Sequence, residues 1–349
     1  MGRRGWILVA ALLAALPVAD AILWRIAVDR LEAGFNAWVA HNRAAGWTVA
    51  SGHAVSGGWP WAATLDIAGV SVSGGDPVPP GGFAWHAAGV TLRISLMQPR
   101  SMEIEARGEQ RLRVGPRAEA ILSGARLMVV ASLSTVNEPR ELEILADRPR
   151  LTDARGGDPT RVLSAEQVHG HVRLPPLVRT GDPETVFSFG GDRIALPTSV
   201  RWPLGATIAS VAFEGSVEGP LPPAQPPVPW AIAWRDGGGA LQLRNLVLAW
   251  GPLSMTASAT LALDDQLQPM GAGTSRLTGY AATLDALAAS GALSRSAAIA
   301  AKAVLSLLAD NPADGDSADV EVPLTLQYRT LSMRQVPLVR LPELDWPGQ

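Results

Sequence analysis

The sequence contains no cysteine and only one lysine, Lys302, among its 29 basic residues. Without cysteine, disulfide bonds cannot stabilise the fold, and thiol catalysis and thiolate metal ligands are excluded. Charged residues make up 17% of the 349 residues, the net charge is −3, and the arginines are scattered along the chain. Nucleic-acid binding needs a concentrated basic surface, so this composition argues against that class. Hydrophobic residues reach 47%, which is ample for a large folded core.

The sequence also lacks the motifs of the common enzyme classes: the phosphate-binding G-x-x-x-x-G-K-[ST] loop, the G-x-S-x-G nucleophile turn and the H-E-x-x-H zinc motif. His169 and His171 would share a face of a strand, with Asp182 and Glu184 as the nearest acidic partners for a metal or a hydrolase site. Two partly exposed strand histidines are the simpler interpretation. We therefore predict no catalytic, cofactor-binding or metal-binding residue, and no cofactor.

The longest apolar segment lies at the N-terminus. Arg3 and Arg4 precede an apolar run from Trp6 to Ala19, which Asp20 interrupts and which resumes from Ala21 to Trp24. A helix needs about 20 mostly apolar residues to cross a bilayer, so this segment predicts a membrane anchor. The short apolar core and the small residues around position 20 also fit a cleaved secretory signal. Both interpretations stay open here, and both place most of the chain outside the cytoplasm.

Residues 1–28 are accordingly expected to form a membrane anchor or signal segment. The positive-inside rule keeps the two arginines in the cytoplasm, so we expect the bacterial inner membrane as the location and the periplasm for the bulk of the chain. Residues 29–46 predict an amphipathic helix whose aromatic stripe packs on the segment after it, with Gly46 placed to end the helix.

After this helix, apolar and polar residues alternate in many short segments separated by Gly, Pro and Asp. Such alternation predicts an antiparallel sheet with two different faces, for example Leu92, Ile94 and Leu96 on the apolar side and Arg93 and Ser95 on the polar side. The predicted fold class is α+β and strand-dominated: a long curved antiparallel meander with an N-terminal membrane helix and a helical pair near the C-terminus.

The β-rich part is divided at a proline-rich connection, residues 219–229, which cannot be a central strand. Residues 47–218 then form a first β-rich portion and residues 230–349 a second, with a surface loop inside one continuous sheet as the alternative. The segment WAIAWRD after the connection alternates and predicts a strand. Helical spacing predicts two helices at about residues 280–309, with Gly291 between them and Ser294 capping the second.

An internal repeat is also present. Leu241–Leu253 aligns without gaps to Leu326–Leu338, with Leu, Gln, Arg, Leu, Pro and Leu at matching places. Both copies predict a strand, a tight connection and a second strand. Repeated strand units of this kind stack edge to edge and share an apolar surface.

Tryptophan is the unusual residue in the composition, with 12 copies against two Tyr and five Phe. The N-terminal third is crowded with Trp38, Trp47, Trp59, Trp61 and Trp85. Indole rings favour apolar grooves and membrane interfaces, although ordinary core filling explains each one taken singly.

Several short motifs form a recognisable series: AAGWTV after the first helix, Gly58–Trp61, Trp250–Leu253, LALD with Pro269, and VPLVRLPEL near the C-terminus. Together they resemble an uncharacterised family of bacterial membrane-anchored proteins, catalogued as domain of unknown function 2125. Arg329-Thr330 departs from the Asp/Asn-Gly turn of that resemblance. The family has no established activity, so no catalytic residue carries over. The chain is also similar, in architecture alone, to AsmA-like proteins, whose anchored chain builds a curved sheet with an apolar trough.

These patterns predict a non-enzymatic, membrane-anchored periplasmic protein of the cell envelope that holds or passes a lipid-like molecule along an apolar sheet face. The expected partners are the inner membrane, through the N-terminal segment, and a lipid or an envelope protein, with no nucleic acid. One alternative is a structural or assembly partner in an envelope protein complex. The other is an envelope hydrolase.

Overall fold

A computed structural model describes residues 3–74, 82–115, 118–133, 139–154, 161–174, 183–219, 227–308, 319–333, 336–344 and 346. Within these ranges, the side chains of residues 3–14, 16, 133, 139–140, 183–184, 227, 308 and 336–339 are not described. The described helices are α1 (Arg3–Ala44), α2 (Pro227–Asp236), α3 (Tyr280–Ala289) and α4 (Arg295–Leu308).

The strands of the first half are β1 (Thr48–Ala50), β2 (Ala54–Gly57), β3 (Ala62–Gly74), β4 (Phe83–Ser95), β5 (Gln98–Val114), β6 (Ala118–Ser123), β7 (Arg126–Leu133), β8 (Pro139–Asp147) and β9 (Arg150–Asp153). Those of the second half are β10 (Leu163–Ser164), β11 (Gln167–Arg173), β12 (Pro183–Ala195), β13 (Thr207–Glu218), β14 (Ala240–Trp250), β15 (Leu253–Leu263), β16 (Pro269–Thr278), β17 (Val320–Gln327), β18 (Thr330–Met333) and β19 (Val336–Arg340).

Within the described residues, nineteen strands form one antiparallel sheet that follows the chain as a meander. β1 and β2 pair with successive parts of β3 at one edge, and β19 lies at the other. In the middle, β6 and β7 are two parts of one interrupted strand, as are β8 and β9, and β10 and β11. The predicted strand-dominated α+β meander is therefore confirmed. β13 pairs with β14, so the sheet is continuous across the proline-rich connection.

The register separates the two faces of the sheet, because directly paired residues lie on the same face. One row is almost entirely apolar, and we call its side the apolar face: Leu65, Leu92, Ile104, Val129, Ile144, Gly170, Phe189, Phe213, Leu246, Ala257, Ser275 and Val322. A row on the opposite side, the polar face, contains Arg93, Glu103, Val130, Glu143, His171, Ser188, Glu214 and Asn245. As predicted, Leu92 and Ile94 are buried and Arg93 is exposed.

A line of irregularities, which we call the crease, crosses the sheet from its first edge to β13. Along the crease, each strand or strand connection contains residues that are not paired in the regular ladder. These residues are 51–53, Gly69, Ala88, Gly108–Glu109, Gly124–Ala125, Arg148–Pro149, Ala165–Glu166, Arg193 and Ala209. Left-handed backbone occurs at Gly69, Gly108, Arg148 and Arg193. Extra residues of this kind bend a strand and increase its twist.

The second half of α1 covers the first strands on the apolar face. Trp24, Val28, Leu31, Phe35 and Val39 recur every three or four residues and so lie along one side of the helix. They form a buried cluster with apolar side chains of β1 to β5. α1 is continuous through residue 28, where the sequence analysis placed the end of the anchor or signal segment and the start of the amphipathic helix.

The opposite end of the apolar face is covered by α3 and α4. Tyr280 and Leu305 pack with Val320 and Val322 of β17 in a second buried cluster. The predicted helical pair is confirmed, and the backbone N–H of Ala297 donates to the Ser294 side chain at 3.2 Å, as a helix cap does.

Helix α2 corrects the strand predicted for WAIAWRD. Pro227 occupies its first position, where a missing N–H costs no hydrogen bond. Trp230 and Trp234 lie four residues apart on one side and stack, with ring centroids 5.9 Å apart. A seven-residue segment that alternates with a period of two also places residues at i and i+4 together, so its pattern alone could not separate strand from helix.

The two copies of the internal repeat do not adopt the same structure, contrary to the prediction. In the first copy, β14 runs straight through Arg244 and Asn245 with a register shift and no turn. In the second copy, Tyr328 and Arg329 form a two-residue hairpin turn in which both residues have positive φ, 48° and 63°. This geometry is that of a type I′ turn, which normally favours Asn and Gly.

The turn predicts a stabilising substitution. Left-handed backbone costs an ordinary L-residue about 1–2 kcal/mol, and asparagine tolerates it better. Tyr328 is 84% exposed, so its removal loses little packing. We expect Tyr328→Asn to raise the midpoint of thermal unfolding, with a gain of up to about 1 kcal/mol. Tyr328→Ala is the matched control; an equal gain from alanine would show that the backbone conformation is not the cause.

Candidate functional site

Buried clusters that join helices to the sheet lie at the two ends of the apolar face, and α2 contacts the end of β13, where the Trp234 indole N–H donates to the Glu218 carbonyl at 3.2 Å. The two buried clusters that contain helix residues involve β1 to β5 at one end and β16 to β18 at the other. Between them lies a half-buried apolar row, which we call the apolar floor: Val129, Ile144, Phe187, Phe189, Phe213 and Leu246. Phe213 is 36% exposed, a large value for a phenylalanine in the middle of a wide sheet.

Three phenylalanine rings form the centre of the apolar floor. The centroid of Phe213 lies 5.3 Å from that of Phe189 and 6.1 Å from that of Phe187. Glycines on the neighbouring strands make room for these rings. A Cβ added at Gly170 would meet the Phe189 ring at 2.6 Å, and one added at Gly215 would meet the Phe187 ring at 2.9 Å. The rings therefore lie over bare backbone and leave a low, continuous apolar surface.

The dimensions of the apolar floor suit an acyl chain. Neighbouring strands lie about 4.8 Å apart, so the floor from β7 to β14 extends over about 24 Å. An extended acyl chain spans half of a hydrocarbon core of about 30 Å, or about 15 Å. Each methylene that leaves water for such a surface contributes about 0.8 kcal/mol. The apolar floor is therefore longer than one extended acyl chain.

The polar face is held by cross-strand ion pairs instead. Arg107 lies 2.9 Å from Asp66, and Arg173 lies 2.8 Å from Glu141. The hydroxyl of Thr91 also donates to Asp66, at 2.7 Å. These charged side chains are roughly half exposed, and such pairs contribute about 0–1 kcal/mol each. They mark this face as solvated.

Only the two histidines of the group that the sequence singled out have described side chains. His169 and His171 lie on β11 on the polar face, and the ring of His169 lies over Gly190. Asp182 and the side chain of Glu184 lie outside the described residues. Elsewhere in the described ranges, no three His, Asp or Glu side chains come together as metal ligands would.

Two shallow depressions open on the polar face along the crease. One, of about 430 Å³, is lined by His53, Asp66, Ala88, Arg107 and Gly108, among others. The other, of about 680 Å³, is lined mainly by charged residues: Arg126, Asp147, Arg148, Glu166, Asp192 and Arg193. Arg193 and Glu166 form an ion pair there. Charges of both signs alternate in the second depression, so it gives no marked preference for an anion or a cation. Sequence patterns gave no sign of either depression, because both depend on the register of several strands.

The tryptophans of the N-terminal third divide into two groups. Trp85 belongs to the buried cluster under α1 and donates its indole N–H to Gln110 at 3.1 Å, so core filling explains it. Trp38, Trp47, Trp59 and Trp61 are 43%, 37%, 53% and 73% exposed. The two most exposed rings sit in the turn between β2 and β3.

In the part of the chain whose side chains are described, no helical stretch combines the length and the apolar character that a membrane crossing requires. Most side chains of the apolar run from Trp6 to Ala19 lie outside that part.

Comparison with known proteins places the chain in a family. A search of curated proteins found no match. The family model described as "Uncharacterized protein conserved in bacteria (DUF2125)" matches residues 24–342. The match starts at Trp24, where α1 begins to pack on the sheet, and continues past β19. It therefore contains both faces of the sheet, the apolar floor and all the covering helices except the first part of α1. This chain belongs to the uncharacterised bacterial family DUF2125, as its sequence motifs indicated.

Proposed function

We propose that this protein is anchored in the bacterial inner membrane by its N-terminal segment and, in the periplasm, holds or passes a lipid-like molecule along the apolar floor. The observation that carries the proposal is the row of half-buried apolar side chains between two helix-covered ends of one sheet. Soluble proteins rarely leave a contiguous apolar patch of this kind without a partner. In this proposal the protein carries its ligand without transforming it.

The continuity of α1 supports a retained anchor over a cleaved signal. The helix extends from Arg3 to Ala44 without interruption, and its packed half begins at Trp24, whose indole donates to the carbonyl of Gly57 at 3.0 Å. Cleavage near Ala21 would leave the new end of the helix directly beside this contact. The proposed arrangement is also the one expected from the likeness in architecture to AsmA-like proteins.

The proposal predicts selective labelling by a photoreactive fatty acid. Cells that express the full chain are fed this probe and irradiated, and the attached lipid is mapped by mass spectrometry of the purified protein. We expect attachment to peptides of β11 to β14. Phe213→Glu places a charge in the lipid path and should reduce labelling about tenfold or more, because 1.4 kcal/mol already corresponds to a factor of ten.

Ala212→Glu is the matched control, since residue 212 precedes Phe213 on the same strand and faces the polar side. This variant should label like the original protein. Absence of labelling in the original protein, or an equal loss in both variants, would contradict the proposal.

The open sheet supports a second candidate function, an assembly partner in an envelope complex. The edge formed by β1 and β2 pairs only with β3 in the described part of the chain, and Val55 on it is 54% exposed. An exposed edge of this kind can accept a strand from another protein. A photo-crosslinking residue at position 55 should then capture one dominant protein in membranes, whereas random capture would count against this function.

A further inference from the structure

We infer that the turns Gly58–Trp61 and Leu96–Met97 rest in the interface of the lipid bilayer, beside the point where α1 leaves the sheet. This inference rests on the proposed membrane anchor and adds a second, independent contact with the membrane. Its occupant is a bilayer surface, and a protein partner at the same place is an alternative outcome of the experiment below.

The direction of α1 relative to the strands is the first step. β1 pairs with the end of β3 near Ser73, and β2 pairs with the other end, where Gly57 lies opposite Thr64. The last residues of α1 lead directly into β1, while Trp24 reaches Gly57 through its indole N–H. The packed half of α1 therefore runs the length of the strands, and its earlier residues continue past the strand end that carries Gly57.

The exposure of the helix changes at this strand end. Asp20 lies four residues before Trp24, on the same side of α1. Its Oδ2 atom is buried and has no hydrogen-bond partner among the described residues. Val18, Ile22 and Leu23, which point elsewhere, are 59%, 56% and 58% exposed. Around this strand end, α1 thus exposes apolar side chains on its outer side, while the Asp20 carboxylate is partly enclosed.

The length of the projecting helix fixes the level of the membrane surface. A helix rises 1.5 Å per residue, so the segment from Arg3 to Asp20 is about 26 Å long. A hydrocarbon core is about 30 Å thick. With the arginine pair at the cytoplasmic side, the periplasmic surface falls close to Asp20 and Trp24, and hence level with Gly57.

The two turns at this level are both apolar at their tips. Trp59, Trp61 and Met97 are 53%, 73% and 84% exposed. The backbone N–H of Leu96 donates to the carbonyl of Trp61 at 3.2 Å, so the two turns lie side by side. Tryptophan is enriched at membrane interfaces, and methionine adapts to irregular apolar surroundings. No charged residue occurs in either turn. The anchor and the tryptophan-tipped end of the sheet would together hold the sheet in one orientation over the bilayer.

The absence of cysteine makes the experiment direct, because single-cysteine variants of the full chain can be labelled specifically. Met97→Cys, Val114→Cys and Val18→Cys are labelled with an environment-sensitive fluorophore and reconstituted in vesicles of phosphatidylethanolamine and phosphatidylglycerol. Val114 lies at the opposite end of β5 from Met97 and is 40% exposed, so it is the matched control. Quenching by lipids that carry a nitroxide near the headgroup is compared with quenching by aqueous iodide.

We expect several-fold stronger lipid quenching and a blue-shifted emission for the label at position 97 relative to the label at 114. A second outcome is that the labels at 97 and 114 are equally accessible to iodide while the label at 18 is quenched by lipid. This result would support the membrane anchor and contradict the membrane contact of the two turns. If the label at 18 is also in water, the anchor itself is wrong. Protection of the label at 97 from iodide without quenching by lipid would identify a protein contact and would also overturn the inference. Unchanged circular dichroism verifies that each variant is folded.

Discussion

Val28→Asp is expected to detach the packed half of α1 from the sheet. Val28 is completely buried between the helix and the apolar face, in the cluster that also contains Leu31 and Leu65. A carboxylate at this place has no basic partner in that cluster and no access to water. An uncompensated buried charge costs about 3–5 kcal/mol, which is a large fraction of the stability of a typical domain.

Urea unfolding of the full chain in phospholipid nanodiscs, followed by circular dichroism, measures this loss. Asp29→Ala is the control on the neighbouring residue. Asp29 is exposed and lies 3.0 Å from Arg25 in an i, i+4 ion pair, so its removal should cost about 0.2–0.5 kcal/mol. Similar small shifts for both variants would mean that α1 does not depend on this contact. A large shift for Val28→Asp alone would show that helix and sheet unfold together.

The two-faced sheet could be predicted from local sequence because strand alternation is a local property. Leu92 and Ile94 alternate with Arg93, and this alone assigns their faces. The helices near the C-terminus were predictable for the same reason, with Gly291 and Ser294 as stop and start signals. Such signals involve neighbouring residues only, and they do not depend on which strands pair.

The apolar floor could not be predicted, because it depends on pairing between distant strands. Phe187 and Phe189 stand out in the sequence as an alternating pair, but nothing near them indicates that Phe213 is their neighbour across β12 and β13. Their exposure depends further on where the helices end. α1 packs at one end of the face and α3 and α4 at the other, and helix position relative to a sheet is a tertiary property.

The crease is visible in the sequence as a change in the phase of the apolar alternation. In β3, the buried residues Leu65 and Ile67 have odd numbers, whereas Val70 and Val72 have even numbers. The change of phase falls at Gly69, whose φ is +56°. An inserted residue keeps the apolar side chains on one face while the strand bends. A strict period of two would predict that the strand ends where the phase changes. A phase change at a glycine instead indicates an inserted residue within one continuous strand.

Deletion of Gly69 should consequently destroy the packing of the first strands. Without this residue the alternation of β3 has one phase, so that Val70 and Val72 turn to the polar face and Ser71 and Ser73 turn toward α1. A buried valine contributes about 1.5–3 kcal/mol, so the two valines alone account for about 3–6 kcal/mol. The serines add the cost of burying hydroxyl groups without partners.

Gly69→Ala tests the effect of the backbone conformation at residue 69 without changing the number of residues in β3. No heavy atom lies within 4 Å of a Cβ added at this position, so alanine meets only the left-handed backbone, at a cost of about 1–2 kcal/mol. The urea concentration at the unfolding midpoint should therefore fall modestly for Gly69→Ala and much further for the deletion. Equal midpoints for the two variants would mean that β3 can slide by one residue without loss. Because β4 and β5 carry their own extra residues opposite Gly69, at Ala88 and Gly108, such sliding would force the neighbouring ladders out of register as well.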